Sequence, residues 1–495
     1  MCEESLPGGA GTRSRLGRCR PWAREATWLA AALAAVGLLA VAAAKAGDLA
    51  VFYVLLALTG ALSVAGMFHR GLRPRVDPFA PPLAISLCVL LLYVVRPILL
   101  LAGWSETIGR DPLPEPWVLV KAQAMCLTML VCIWVGYLSP LGRGVARAVP
   151  APSRRWSAQR LRVLAVVCGL ASLVGLAIVM SIAVSRMGGL AAQLANPSGI
   201  RRTDATGLGL PSMLKSVPVQ IALTLVFVAA LRSRRFISYA LPLGLLALAT
   251  QVSFGARGPV MAAIGGFCMI YHYTRRRFHG RQVAALLLAG CALYTVLGFW
   301  RMKGLTAEDK VDTLGAVWEG LPRYIHQYDM LLLAAQQVPA KVDFIGFSAV
   351  KGAVLRVVPR QLYPNKGLSP FGVILLKIAP GFVAIGVTPA ISMPAELYVN
   401  LGVPGLIIGS LFFGVFFRAV YEYMLVYRFS GPSVIVYTLI LPLTFGYLRA
   451  GLIGSLMLPM FAVIGAYMLA MLYVARWRAQ WALRAGAALP ARAQG

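Results

Sequence analysis

Charged side chains are scarce in this chain, and acidic ones scarcest of all: 47 Lys and Arg stand against 17 Asp and Glu in 495 residues, 13% charged in total. Soluble globular domains carry roughly 25% charged residues. Half that density leaves too little polar surface to coat several soluble domains. Other absences narrow the chemistry. No GxxxxGK[ST] phosphate loop occurs, so direct ATP hydrolysis is not expected. No HExxH and no acidic cluster is present to hold a divalent metal, and no cofactor is expected. The eight cysteines include no CxxC and no Cys/His cluster. Most lie inside apolar blocks (Cys88, Cys126, Cys132, Cys168, Cys268, Cys291), so neither a disulfide framework nor a structural zinc is expected.

What is present is apolar sequence: 59% of residues are hydrophobic, and they fall in repeated blocks near the ~20 residues that cross a hydrocarbon core. The blocks predict an all-α, polytopic membrane bundle of about twelve helices, at 27–45, 49–67, 82–103, 117–138, 161–184, 213–231, 237–254, 259–273, 283–300, 395–418, 432–450 and 452–475. The apolar run from Trp28 to Ala44 ends at Lys45 without a cleavage pattern, and reads as a retained first helix rather than a signal peptide. With the N-terminus in the cytoplasm, alternation puts every dense arginine cluster on one side, including Arg73/Arg75, Arg143/Arg147, Arg234/Arg235 and Arg275/Arg276/Arg277. The expected organisation is a basic cytoplasmic tail (1–26), helices 1–9 (27–300), a large extracytoplasmic loop (301–394), helices 10–12 (395–475) and a second basic cytoplasmic tail (476–495). The net charge of +30 is dispersed between apolar blocks. Nucleic acid is therefore not the expected partner, whereas membrane lipids and anionic membrane-bound substrates are.

An unstructured loop as long as 301–394 is uncommon and usually functional. Leu314, Val317, Trp318, Leu321 and Ile325 recur at helical spacing, 345–358 is a second amphipathic stretch, and 369–394 is apolar but interrupted by prolines. This last part suits a re-entrant or interfacial segment. The outer segments also carry cations against the usual bias. Arg201 lies in 185–212, Arg257 in the short turn before 259, and Arg356, Arg360 and Lys366 in the long loop. Long loops translocate regardless of charge, but Arg257, Arg356 and Arg360 sit beside apolar segments, where a bare charge is costly without an anion. Paired guanidinium N–H groups suit phosphate.

Two arginines interrupt predicted spans. Arg96 is balanced between a structural pair and a functional charge, and Arg449 leans towards function. Glu396 opens the tenth span, where it is either an acid favoured by the helix dipole or a catalytic carboxylate. His326 lies in RYIHQYD as either a structural histidine or a base.

The string VVPRQLYPNKG at 357–367, followed by PAELYVNLGVPGLIIGSLFFG at 394–414, resembles the Wzy-type O-antigen and exopolysaccharide repeat-unit polymerases, as does FGARGP at 254–259. A spacing that some members carry in two outer loops, Arg-X10-Gly, occurs in the expected outer loops at Arg356 and Gly367, with no counterpart in 185–212. The resemblance implies a metal-independent, inverting glycosyltransferase of the inner membrane that polymerises undecaprenyl-diphosphate-linked oligosaccharides. A chain-length regulator is a further partner consistent with that family. Arg257, Arg356, Arg360, Arg449, Lys366 and Arg201 would hold the diphosphate and glycan, and Glu396 or His326 would act on the acceptor hydroxyl. A ligase of the same superfamily, and a flippase or transporter of lipid-linked glycans, remain as alternatives.

Overall fold

The computed structural model describes residues 47–68, 77–103, 114–149, 156–189, 209–252, 257–302, 325–355, 370–381, 390–427, 430–451 and 457–475. The first expected span (27–45) lies outside the described residues. The described secondary structure is helical: α1 Asp48–Phe68, α2 Pro81–Leu101, α3 Pro116–Leu138, α4 Leu141–Ala148, α5 Ala158–Met187, α6 Gly209–Arg232, α7 Ile237–Val252, α8 Arg257–Thr274, α9 Gly280–Met302, α10 Gln327–Gln337, α11 Ser348–Leu355, α12 Pro370–Ile378, α13 Met393–Val426, α14 Gly431–Ala450 and α15 Met457–Val474. Seven of these (α1, α2, α3, α5, α6, α13 and α14) are long and apolar enough to cross a membrane, and α8, α9 and α15 contain shorter apolar stretches. The protein is thus a helical bundle of membrane type.

Among the described residues, the spans expected between 49 and 300 and at 432–450 match observed helices to within a few residues, whereas α13, expected to stop at 418, runs on to Val426. Arg418 does not end the helix because its charge is accommodated inside the bundle. It is buried, pairs with Glu422 one turn on, and sits 5.1 Å over the Tyr137 ring. α13 lies against α3 at backbone contact distance. A Cβ on Gly414 would collide with the carbonyl of Ile133, and one on Gly136 with the carbonyl of Leu411. Small residues permit this approach, and close packing rather than hydrophobicity holds helices together in lipid.

Prolines open three of the long helices, and in each a neighbouring segment completes the broken hydrogen bond. Pro97 cannot donate to the Tyr93 carbonyl, and α2 loosens into a π turn at Leu91–Val95. Gln123 of α3 reaches that carbonyl at 3.5 Å. Pro218 of α6 leaves the Leu214 carbonyl and the Val219 N–H out of register. The Ser172 hydroxyl of α5 donates to the first at 3.4 Å and accepts from the second at 2.9 Å. In α13, Gly402 takes a left-handed backbone (φ 67°, ψ −151°) ahead of Pro404. The freed carbonyls of Val399 and Asn400 accept from the N–H groups of Ile345 (3.0 Å) and Gly346 (2.8 Å). Unsatisfied backbone at membrane depth costs several kcal/mol per group, so these side contacts allow the breaks to exist.

The bundle has two polar ends. At one, Asp77 accepts from Tyr273 (2.8 and 2.9 Å), from Tyr421 (2.9 Å) and from the Phe79 N–H (3.0 Å), tying α8, α13 and the start of α2 together. At the other lie Glu396 and described segments between α9 and α13. Parts of 301–394 are folded into the bundle. In α10 every residue from Gln327 to Ala335 is buried, and in α12 Ile374, Leu375 and Ile378 are buried.

Candidate functional site at the Glu396 end

Glu396 stands in the first turn of α13, which Pro394 starts, and its side chain is fully buried. Its backbone N–H bonds to the Ser392 carbonyl at 2.9 Å. The carboxylate lies flat against Gly451, the left-handed residue (φ 86°) that ends α14: a Cβ at Gly451 would fall 2.6 Å from Oε2 and 3.0 Å from Oε1. Only glycine fits there, for backbone and for space. Two residues earlier is Arg449, half-buried in the last turn of α14. The structure therefore brings Glu396 to the chain segment that carries Arg449, although 53 residues separate them in sequence. Tyr93 of α2 fixes the same part of α14 through a 2.6 Å bond to the Leu448 carbonyl.

Asn400, one turn along α13, donates from Nδ2 to the Glu396 carbonyl at 2.8 Å. Its Oδ1 is buried with no hydrogen-bond partner among the described residues, and the same holds for the Tyr328 hydroxyl. Burying an oxygen unpaired costs about 1–3 kcal/mol, which is more readily tolerated where a substrate or water completes the bond. Burial pushes the Tyr328 phenol well above its ordinary range, so it can donate a hydrogen bond but cannot act as a base near neutrality.

His326 precedes α10 and is half-buried. The helix it opens is held by cations from two spans. Arg96 of α2 meets Asp329 through a two-pronged pair, Nε to Oδ1 at 3.0 Å and Nη2 to Oδ2 at 2.7 Å, with 1% and 2% of the two side chains exposed. Lys121 of α3 caps the other end, with Nζ 2.8 Å from the Ala335 carbonyl and 2.7 Å from that of Val338, and 5.1 Å from the Tyr398 ring. The negative end of the helix dipole favours a cation there. Arg96, balanced in the sequence between structure and function, is thus the structural partner of Asp329.

Arg257 is the first residue of α8. At the far end of this helix Tyr273 meets Tyr437, with ring centroids 5.8 Å apart, and Gly266 would place a Cβ 3.6 Å from the Thr438 carbonyl. α8 and α14 therefore run antiparallel, and the backbone of Arg257 lies towards the Glu396 end. Lys215, buried in α6, donates to the Thr250 carbonyl at 3.2 Å, in the last turn of α7 before the Arg257 turn. Arg201, Arg356, Arg360 and Lys366 lie outside the described residues. No group of three His, Cys, Asp or Glu side chains placed to hold a metal occurs among the described residues.

Lys121, Lys215, Asn400 and Gly451 are not among the site residues expected from the sequence. The two lysines were visible as charges inside apolar runs, the usual mark of an intramembrane role. Asn400 and Gly451 carried no such sign, because their importance depends on what they touch. The chain matches no protein-family model, no curated protein and no solved structure.

Proposed function

We propose that the chain is an integral-membrane glycosyltransferase that polymerises undecaprenyl-diphosphate-linked oligosaccharide repeat units into a surface polysaccharide. In this reading it spans the inner membrane about twelve times, with both termini cytoplasmic. The Glu396 end, with the 301–394 segment, then faces outward. The observation that carries the reading is the buried Glu396 carboxylate held against Gly451, beside Arg449, at the end of the bundle towards which Arg257 lies. The residue strings at 254–259, 357–367 and 394–414, which resemble those of the Wzy-type polymerases, suggest its reaction class.

The chemistry suits a site without a metal. The hydroxyl oxygen of one repeat unit attacks the anomeric carbon of another. The carbon–oxygen bond to diphosphate breaks, and undecaprenyl diphosphate leaves with the electron pair, so the configuration inverts. The hydroxyl proton passes to Glu396 or His326. A diphosphate needs its growing charge neutralised rather than a proton supplied, and fixed guanidinium groups do this in a dry site. Arg257, Arg356, Arg360 and Arg449 take that role, with Lys366 and Arg201 as further substrate-binding cations. The Arg96–Asp329 pair makes Arg96 a poor marker of a transport path, which weighs against a flippase.

The test is reconstitution of the purified protein in proteoliposomes with one lipid-linked repeat unit. A ladder of glycan lengths is expected, lost in Glu396→Gln and strongly reduced in Arg360→Ala. A single ligated product would instead identify the related ligase, and no new glycosidic bond at all would refute the glycosyltransferase reading.

A further inference from the structure

We infer that α4, Leu141–Ala148, is an interfacial anchor that seats anionic phospholipid headgroups at the end of the bundle opposite Glu396. The side chains of its eight residues divide around the helix into distinct faces. Successive side chains are about 100° apart. Gly142 and Ala146 form the buried line, pressed on α13, where a Cβ at Gly142 would meet the Arg418 side chain at 2.7 Å and the Val415 carbonyl at 2.9 Å. One flank carries Leu141 and Val145, which are 65% and 51% exposed, and Val149, 38% exposed, follows just past the helix end. The opposite flank carries Arg143 and Arg147, both exposed. Apolar side chains lie to one side and guanidinium groups to the other, with the backbone between them along the protein wall. This is the distribution of a helix lying in the plane between hydrocarbon and headgroups.

The placement fits. α4 follows the spanning helix α3 after only Ser139 and Pro140, so it begins where the chain leaves the apolar layer. It is held on α13 by the close approach at Gly142 and by Tyr427, whose hydroxyl donates to the Val149 carbonyl at 2.7 Å. The local charge is positive. Glu422 faces α4 but is shared between Arg418 and Arg143, the latter at 3.4 Å. Asp77, the other described carboxylate at this end, is occupied by Tyr273, Tyr421 and the Phe79 N–H. Arg147 and the free donors of Arg143 therefore present net positive charge in the plane where lipid phosphates lie. A soluble partner does not account for exposed Leu141 and Val145 immediately after the spanning helix α3, and a neutral bilayer does not account for the arginine flank.

The experiment measures thermal stabilisation of the full-length purified protein in neutral detergent, titrated with phosphatidylglycerol or with phosphatidylcholine. Phosphatidylglycerol is expected to raise the melting temperature saturably, by binding the native state, and phosphatidylcholine to do so much less. Replacing both arginines (Arg143→Gln with Arg147→Gln) is expected to weaken phosphatidylglycerol binding by about 30-fold, from two headgroup contacts of about 1 kcal/mol each. The matched Lys replacements should retain most of it. Val145→Asp keeps both arginines but spoils the apolar flank, and should also weaken binding while leaving the lipid-free melting temperature unchanged. Equal stabilisation by the two lipids, an unaltered response in the Gln variant, or a lipid-independent dimer through this face would each overturn the proposal. None of these outcomes depends on whether the protein forms glycosidic bonds.

Discussion

Arg96 and Asp329 offer the sharpest energetic test. Both are withdrawn from solvent to 1–2% exposure and meet through two parallel hydrogen bonds of 2.7 and 3.0 Å. Removing one member of such a pair strands the other charge in a low-dielectric interior, at a cost of about 3–5 kcal/mol. Removing both replaces a costly but paired charge with apolar packing, which is often neutral or stabilising by a few kcal/mol. Arg96→Met and Asp329→Leu should therefore each destabilise by about 3–5 kcal/mol, and the double variant by less than either, giving a coupling energy of at least about 3 kcal/mol. Arg96→Lys, which keeps the charge but loses the planar fork, should fall between wild type and Arg96→Met. The assay is equilibrium unfolding of the purified protein in mixed micelles. Because the pair joins α2 to α10, limited proteolysis between α10 and α11 should accelerate in the single variants and recover in the double. Additive single-variant costs would refute the argument, since they would mean that the two charges do not meet. Loss of glycan product in a stable, folded double variant would return Arg96 to the functional residues.

Further outcomes follow from the contacts. Gly451→Ala should abolish polymer formation and also lower stability, because the added methyl falls 2.6 Å from the Glu396 carboxylate at a left-handed backbone position; product length by gel electrophoresis and the unfolding midpoint read it. Ser172→Ala should destabilise by about 1–3 kcal/mol, since one hydroxyl serves both backbone groups that Pro218 leaves unmatched; the unfolding midpoint measures it. Asp77→Asn should lower stability by a similar amount, because the replacing amide offers one acceptor oxygen where three donors now converge on two. Replacing Gly402 with Ala should be tolerated poorly, both for its left-handed φ and because the Phe344 ring would lie 3.1 Å from the new Cβ; reduced yield of monodisperse protein is the readout.

The sequence by itself determined the class of protein and the register of its helices. Apolar length is a local property, and a block of some twenty such residues has few stable fates other than a spanning or buried helix. The boundaries at 49–67, 117–138 and 432–450 accordingly match α1, α3 and α14 to within a residue. The positions of individual charges inside those blocks were equally legible, and Arg96 and Glu396 were visible without coordinates. Their partners were not. Arg96 meets Asp329 across 233 residues, and Glu396 lies against a glycine that no local pattern distinguishes from the others. The extension of α13 past Arg418, the burial of α10, and the donors that repair the breaks at Pro97, Pro218 and Gly402 were likewise decided by tertiary structure. Each depends on what another helix presents at one point in space, and periodicity along a single segment carries no record of that.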